Sequence, residues 1–208
     1  MTQTITGLFD RYDDARRAVQ DLEAAGVAHR DISIVGHDHR DATDGTTRGT
    51  ADGTIEPAAD DAGKGAGIGA AVGGVGGLLA GLGLLAIPGI GPVVAAGWLA
   101  ATAAGAAGGA LVGAAAGGLV GALTNAGVPE RDAHVYAEGV RRGGTVVTAK
   151  VDEPLVPTAQ SILGDDRTVD VATRRQAYEA DGWSSFDDQA PAYSAHDIAA
   201  DRARYDRV

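Results

Sequence analysis

Few residue groups in this chain of 208 residues are suited to chemistry. His37-Asp38-His39, followed by Asp41 and Asp44, offers imidazole and carboxylate ligands for a divalent cation. They fall in a polar stretch with no rigid helix to present them, so a solvated linker is the stronger reading. Gly81-Leu82-Gly83-Leu84-Leu85-Ala86 fits the loose GxGxxA pattern of a dinucleotide-binding turn. It sits inside a glycine repeat, follows no strand, and lacks a suitable acidic residue about 20 positions on. Gly63-Lys64 lacks both the earlier glycine and the following Ser/Thr of a phosphate loop. Ser184-Ser185 has no paired base, Asp187-Asp188 read as solvated tail charges, and His29, His134 and His196 lie in unrelated contexts. No catalytic, cofactor or metal site is expected, and the chain reads as non-enzymatic.

Composition narrows the classes further. The net charge of -11, with Lys64 and Lys150 the only lysines, disfavours nucleic acid and electrostatic adhesion to anionic lipid. The absence of cysteine removes disulfides and thiolate chemistry. Aromatics are 4% of residues, too few for a large conventional core, whereas glycine is 32 of 208. The opening MTQTITGLFDRYDD has neither a basic nor an apolar leader region, so it does not read as a signal peptide.

The elements that would position any site come in two halves. Residues 4–9 alternate as a strand, and Asp10–Ala25 places Ala15, Ala18, Val19, Leu22 and Ala25 on one helical face, ended by Gly26. Residues 32–35 form a second strand, giving a parallel crossover unit. Past the middle of the chain, Pro129 opens a helix with the stripe Ala133, Tyr136, Ala137 and Val140, and Gly143-Gly144 turns into a strand over 145–151. Neither half is large enough alone. The expectation is an α+β fold: a small split α/β sandwich, ferredoxin-like in part, interrupted by a long insertion and followed by a helical tail. Its divisions are 1–36 and 128–152 for the sandwich, 37–62 for an acidic linker, 63–127 for the insertion, and 153–208 for the tail. Ala25–Asp31 and Ala126–Asp132 echo each other (AGVAHRD, AGVPERD), which a shared helix-ending turn explains.

The insertion is the most unusual stretch. Residues 65–129 carry no charged side chain. Glycine recurs every fourth position at Gly65, Gly69, Gly73, Gly77 and Gly81, then at Gly97, Gly105, Gly109, Gly113, Gly117 and Gly121, with Ala101 filling the gap. This spacing predicts an antiparallel pair of helices over 63–87 and 93–125, broken at Pro88 and Pro92. At about 1.5 Å per residue they would be roughly 37 Å and 50 Å long, enough to span ~30 Å of hydrocarbon. The four-residue period drifts by about 40° per step, so the second groove winds too far for one partner and implies a homo-oligomer. Membrane lipid is an expected partner, with an inner-membrane location and cytoplasmic termini; a cytoplasmic assembly is the alternative. In the tail, Trp183, Phe186 and Tyr193 mark either a docking motif for an unknown partner protein or, the favoured reading, a strap over the body. Ser194 and Asp197 suggest a capping box opening a last helix.

The order of these segments resembles the bacterial general stress protein 17M-like domain, a heat-induced stress protein family. TGLFDRYDDARRAVQDLEAAGVAHRDISIVG and GVPERDAHVYAEGVRRGGTVVTAKV carry the resemblance, with Tyr136, Gly144 and Val146-Val147 matching its last part. The family implies a stress-associated bacterial protein without established catalytic residues. Two other readings stay open: a soluble scaffold with zippers buried between subunits, and a small-ligand sensor.

Overall fold

In the computed structural model, residues 2–37, 83–87, 89–99 and 118–205 are described. The alternating opening forms strand β1 (Thr2–Phe9), and Ala15, Ala18, Val19 and Leu22 become the buried face of helix α1 (Tyr12–Ala24). Asp13 and Asp14 lie in the first turn of α1, where the helix dipole favours negative charge. Strand β2 (Ile32–His37) follows. From the second half come helix α2 (Gly118–Asn125), helix α3 (Glu130–Arg141) and strand β5 (Thr145–Asp152). Helices α4 (Val156–Leu163), α5 (Val171–Ala180) and α6 (Ala195–Tyr205) make up the tail.

The two halves share one sheet. Its order is β1-β5-β2-β4-β3, where β3 is Gly83–Ile87 and β4 is Gly91–Gly97, and every neighbouring pair is antiparallel. Strands β1 and β2 are therefore parallel to each other, as the crossover predicts, but β5 lies between them. The reason is in β5 itself: Val146 and Val147 point to opposite faces and both are fully buried, so this strand is stable only where both faces are covered. On one face Leu8, Val35, Val93, Ala95 and Val146 pack against α2 and α3. On the other, Phe9, Ile34, Ala96, Val147 and Ala149 pack against α1 and α4. The α+β split sandwich thus holds. It is ferredoxin-like only in its parallel β1 and β2 flanking an antiparallel strand, because α1 and α3 cover opposite faces.

The helical reading of the insertion is corrected where the chain is described. Gly83–Ile87 and Gly91–Gly97 are strands of a β-hairpin, so neither 63–87 nor 93–125 is one continuous helix. Of the second stretch, only residues 98–99 and Gly118–Asn125 are helical among the described residues. The turn closes between Ile87 and Ile90: the Ile90 N–H donates to Ile87 O at 3.0 Å, and Gly89 has φ +74°, a conformation that glycine adopts without strain. Pro92 lies in β4 opposite Ala86, and Pro88 lies outside the described residues. Local chemistry explains the outcome. Glycine costs about 1 kcal/mol in a helix interior, whereas Val93 and Val94 are β-branched and β2 offers them an edge. Among the described residues no helix is long and apolar enough to cross a membrane.

The smaller expectations fare better. Pro129 stands immediately before α3, and the echo between 25–31 and 126–132 is one repeated helix-ending turn. Val27 N–H donates to Leu22 O at 3.0 Å, and Val128 N–H to Leu123 O at 3.1 Å. Ser194 and Asp197 cap α6 reciprocally: Asp197 N–H donates to Ser194 Oγ (3.2 Å) and Ser194 N–H to Asp197 Oδ2 (3.1 Å).

Candidate functional site at the junction of tail and body

Helix α3 ends in Glu138-Gly139-Val140-Arg141-Arg142, and this end receives the tail. Glu138 and Arg142 are four residues apart and so share a helical face. The Arg142 Nε–H donates to Glu138 Oε1 at 2.7 Å, and its NH1 donates to Asp201 Oδ1 of α6 at 3.2 Å. Its guanidinium lies 4.1 Å from the Tyr178 ring centroid and 5.6 Å from that of Tyr193. Glu138 is 1% exposed and Arg142 9%, so these charges are stable only as a set. Burial opposes the charge on Arg142, but the hydrogen bond to Glu138 and the charges of Glu138 and Asp201 hold its pKa above the usual arginine value. Burial likewise raises the Tyr178 phenol, against the lowering effect of Arg174 and Arg142.

A second anchor ties α5 to the start of α1. Arg174 donates both NH1 and NH2 to the Asp10 carboxylate at 2.8 and 2.7 Å, and lies 3.7 Å from the Tyr205 ring centroid. This is the bidentate geometry that arginine favours. Arg175 NH2 donates to Asp132 Oδ1 of α3 at 2.8 Å. Between α5 and α6 the Phe186 N–H donates to His134 Nδ1 at 3.2 Å. Beneath the tail, the Tyr136 hydroxyl donates to Thr6 O at 3.2 Å. Burial, then the Asp132 charge, push that phenol up to about 12.

An open groove of about 600 Å³ lies at this junction, lined by Arg141, Arg142, Arg204, Tyr193, Asp181 and Asp201 among others. Arg204 is paired with Asp181 at 2.8 Å and Arg142 with Asp201. The arginines in the groove therefore face carboxylates of the same chain, and the arrangement fastens two surfaces. Among the described residues no three His, Asp or Glu side chains converge as metal ligands.

The structure treats the residues singled out by sequence in different ways. Trp183 stacks edge-on against Tyr178 with centroids 5.6 Å apart, Phe186 packs on the α2–α3 core, and the Tyr193 ring lies 5.0 Å from the Arg141 guanidinium. Phe186 and Tyr193 thus contact the body of their own chain, in the manner of a strap, whereas Trp183 packs within the tail. Gly97 makes a close approach to strand β2: a Cβ there would collide with Ile32 O and lie 2.8 Å from Ser33 Cα, at φ +91°. At Gly121, in α2, a Cβ would meet nothing within 4 Å, so no neighbour uses its smallness among the described residues. Gly65, Gly69, Gly73, Gly77, Gly81, Ala101, Gly105, Gly109, Gly113 and Gly117 lie outside the described residues, as do Asp38, His39, Asp41 and Asp44. The residues that fasten the tail, Glu138, Arg142, Asp201, Arg174 and Asp10, were missed by sequence. The one local signal was the four-residue spacing of Glu138 and Arg142.

Strand β1, helix α1 and strand β2 form the framework against which this tail is fastened, and they carry the first half of the resemblance. Residues 4–84 match the heat induced stress protein YflT domain. The matched span runs through β1, α1 and β2 to the start of β3, and it points to a stress-associated role. No curated protein and no solved structure matches the chain.

Proposed function

We propose that this is a non-catalytic, stress-associated protein that works by associating with further copies of itself. The observation that carries the reading is the composition and place of β3. Gly83-Leu84-Leu85-Ala86-Ile87 is uncharged, and among the described residues it pairs on one side only, with β4. Natural sheets protect such edges with charge, proline or a bulge, because an unprotected apolar edge templates pairing with another chain. The glycine-rich insertion thus supplies both an apolar edge and a long uncharged stretch that favours close contact. The stress-protein match at 4–84 supports the biological setting. The charge-paired junction supports a non-catalytic role, since its arginines and carboxylates are engaged with each other.

Sedimentation velocity over a dilution series, combined with hydrogen exchange, tests the reading. The expected result is a concentration-dependent mass above that of one chain, with amides of residues 83–87 gaining protection in the assembly. A single-chain mass at every concentration overturns it, as does assembly that leaves those amides unchanged.

A further inference from the structure

We propose that the tail segment 183–193 is a latch on the β3–β4 hairpin, restraining that hairpin from exchanging into a second copy of the chain. The inference rests on the self-association reading above and names its control. The contact is direct. A Cβ at Gly89, in the hairpin turn, would stand 2.7 Å from Asp187 O and 2.7 Å from Asp188 Cα, so tail backbone lies against the tip. Beside it, Phe186 packs on the core cluster that contains Ile87 and Ile90, the residues flanking the turn.

The segment is tethered at both ends and has neither helix nor strand between them. Helix α5 is tied to Asp10 and Asp132 through Arg174 and Arg175. Helix α6 is tied to the end of α3 through Asp201, and Arg202 NH2 donates to Gly143 O at 2.7 Å. No helix or strand occurs from 181 to 194. Its hold on the hairpin therefore depends on Phe186, its backbone bond to His134, and packing at the tip. Among the described residues the hairpin pairs with the rest of the sheet only along β4, through the β2 pairing from Ser33–Gly97 to His37–Val93. Ile90, Val93 and Ala95 of the hairpin also pack in the core, but backbone pairing on one side only leaves an outer hairpin freer to open locally than the central strands. A contact at the tip, far along the hairpin from Gly97, sets how often that opening occurs.

The test uses the full chain and Phe186→Ala, with Phe186→Leu as the variant that keeps an apolar anchor. Hydrogen exchange is read at residues 83–99 against residues 145–152 of β5, which report global unfolding, and mass is read in parallel by light scattering. The expected result is about tenfold faster exchange at 83–99 in Phe186→Ala with 145–152 unchanged, a larger assembled fraction, and recovery in Phe186→Leu. Unchanged exchange at 83–99, or acceleration shared equally with 145–152, overturns the latch whatever the mass. Selective opening of 83–99 with a single-chain mass at every concentration upholds the latch on the hairpin and overturns the self-association it was inferred to restrain.

Discussion

Replacing Arg142 by methionine keeps most of the side-chain volume and removes the charge on which the junction of tail and body depends. Glu138, 1% exposed, would be left with Arg141 NH1 at 3.3 Å, and Asp201 with Arg204 at 4.0 Å. Breaking a buried pair by removing one partner costs about 3–5 kcal/mol, chiefly because the remaining charge is stranded. At about 2–4 °C per kcal/mol for a domain of roughly this size, the melting midpoint should fall by about 6–20 °C. The same penalty predicts its own rescue. Adding Glu138→Gln and Asp201→Asn to Arg142→Met neutralises both stranded carboxylates and should recover more than half of the loss. Arg142→Lys should fall between, because an ammonium on a flexible stem cannot reproduce the fork toward Glu138 and Asp201 or its stacking on Tyr178. Urea unfolding gives the free energies, and limited proteolysis within 183–193 reports whether the tail is released first. A cost under about 1 kcal/mol for Arg142→Met, or a triple variant no more stable than the single one, would refute the reasoning.

Gly97→Ala should destabilise by about 2–4 kcal/mol in urea unfolding, since it combines positive φ with a collision against Ile32 backbone; a neutral result would mean that β4 does not approach β2 as described. Gly121→Ala should instead stabilise by about 0.5–1 kcal/mol, because the added methyl enters open space on a helix. A loss of assembly in Gly121→Ala at unchanged fold would show that this glycine packs between copies. Acid should weaken the tail. Burial tends to raise Asp165, but its hydrogen bonds from Arg167 outweigh that; the Thr173 N–H lowers Asp170 and the Ser194 hydroxyl lowers Asp197. Folded values below the unfolded value of about 3.9 mean that this stability is full above that pH and is lost as pH falls through the folded values. Asn at 170 and 197 should flatten the acid limb of a melting-temperature profile; an unchanged limb would show that these caps contribute nothing.

Much of the framework was legible before any coordinates. Periodicity located α1 to within two residues at its start, through Ala15, Ala18, Val19 and Leu22, and found α3 through Ala133, Tyr136, Ala137 and Val140. These stripes are legible because burial of one helical face must be written locally, at i, i+3, i+4 and i+7. The Ser194–Asp197 cap was legible for the same reason: its partners are three residues apart. Gly97 shows the limit. Its spacing from Gly105 and Gly109 suggested a helical groove, but its smallness serves Ile32, a residue far away in sequence.

The sequence by itself determined which segments carry regular structure, that two distant halves need each other, and that the middle of the chain is built for uncharged contact. All of these follow from local patterns of side-chain polarity and from the number of apolar residues each half can bury. Tertiary structure alone decided that β5 inserts between β1 and β2, that residues 83–97 are a hairpin, and that Arg142 joins Glu138 to Asp201. Those outcomes turn on competition between partners. A glycine- and valine-rich stretch gains little as a free helix and more beside the open edge of β2. A buried arginine is stable only where carboxylates from separate parts of the chain converge on it.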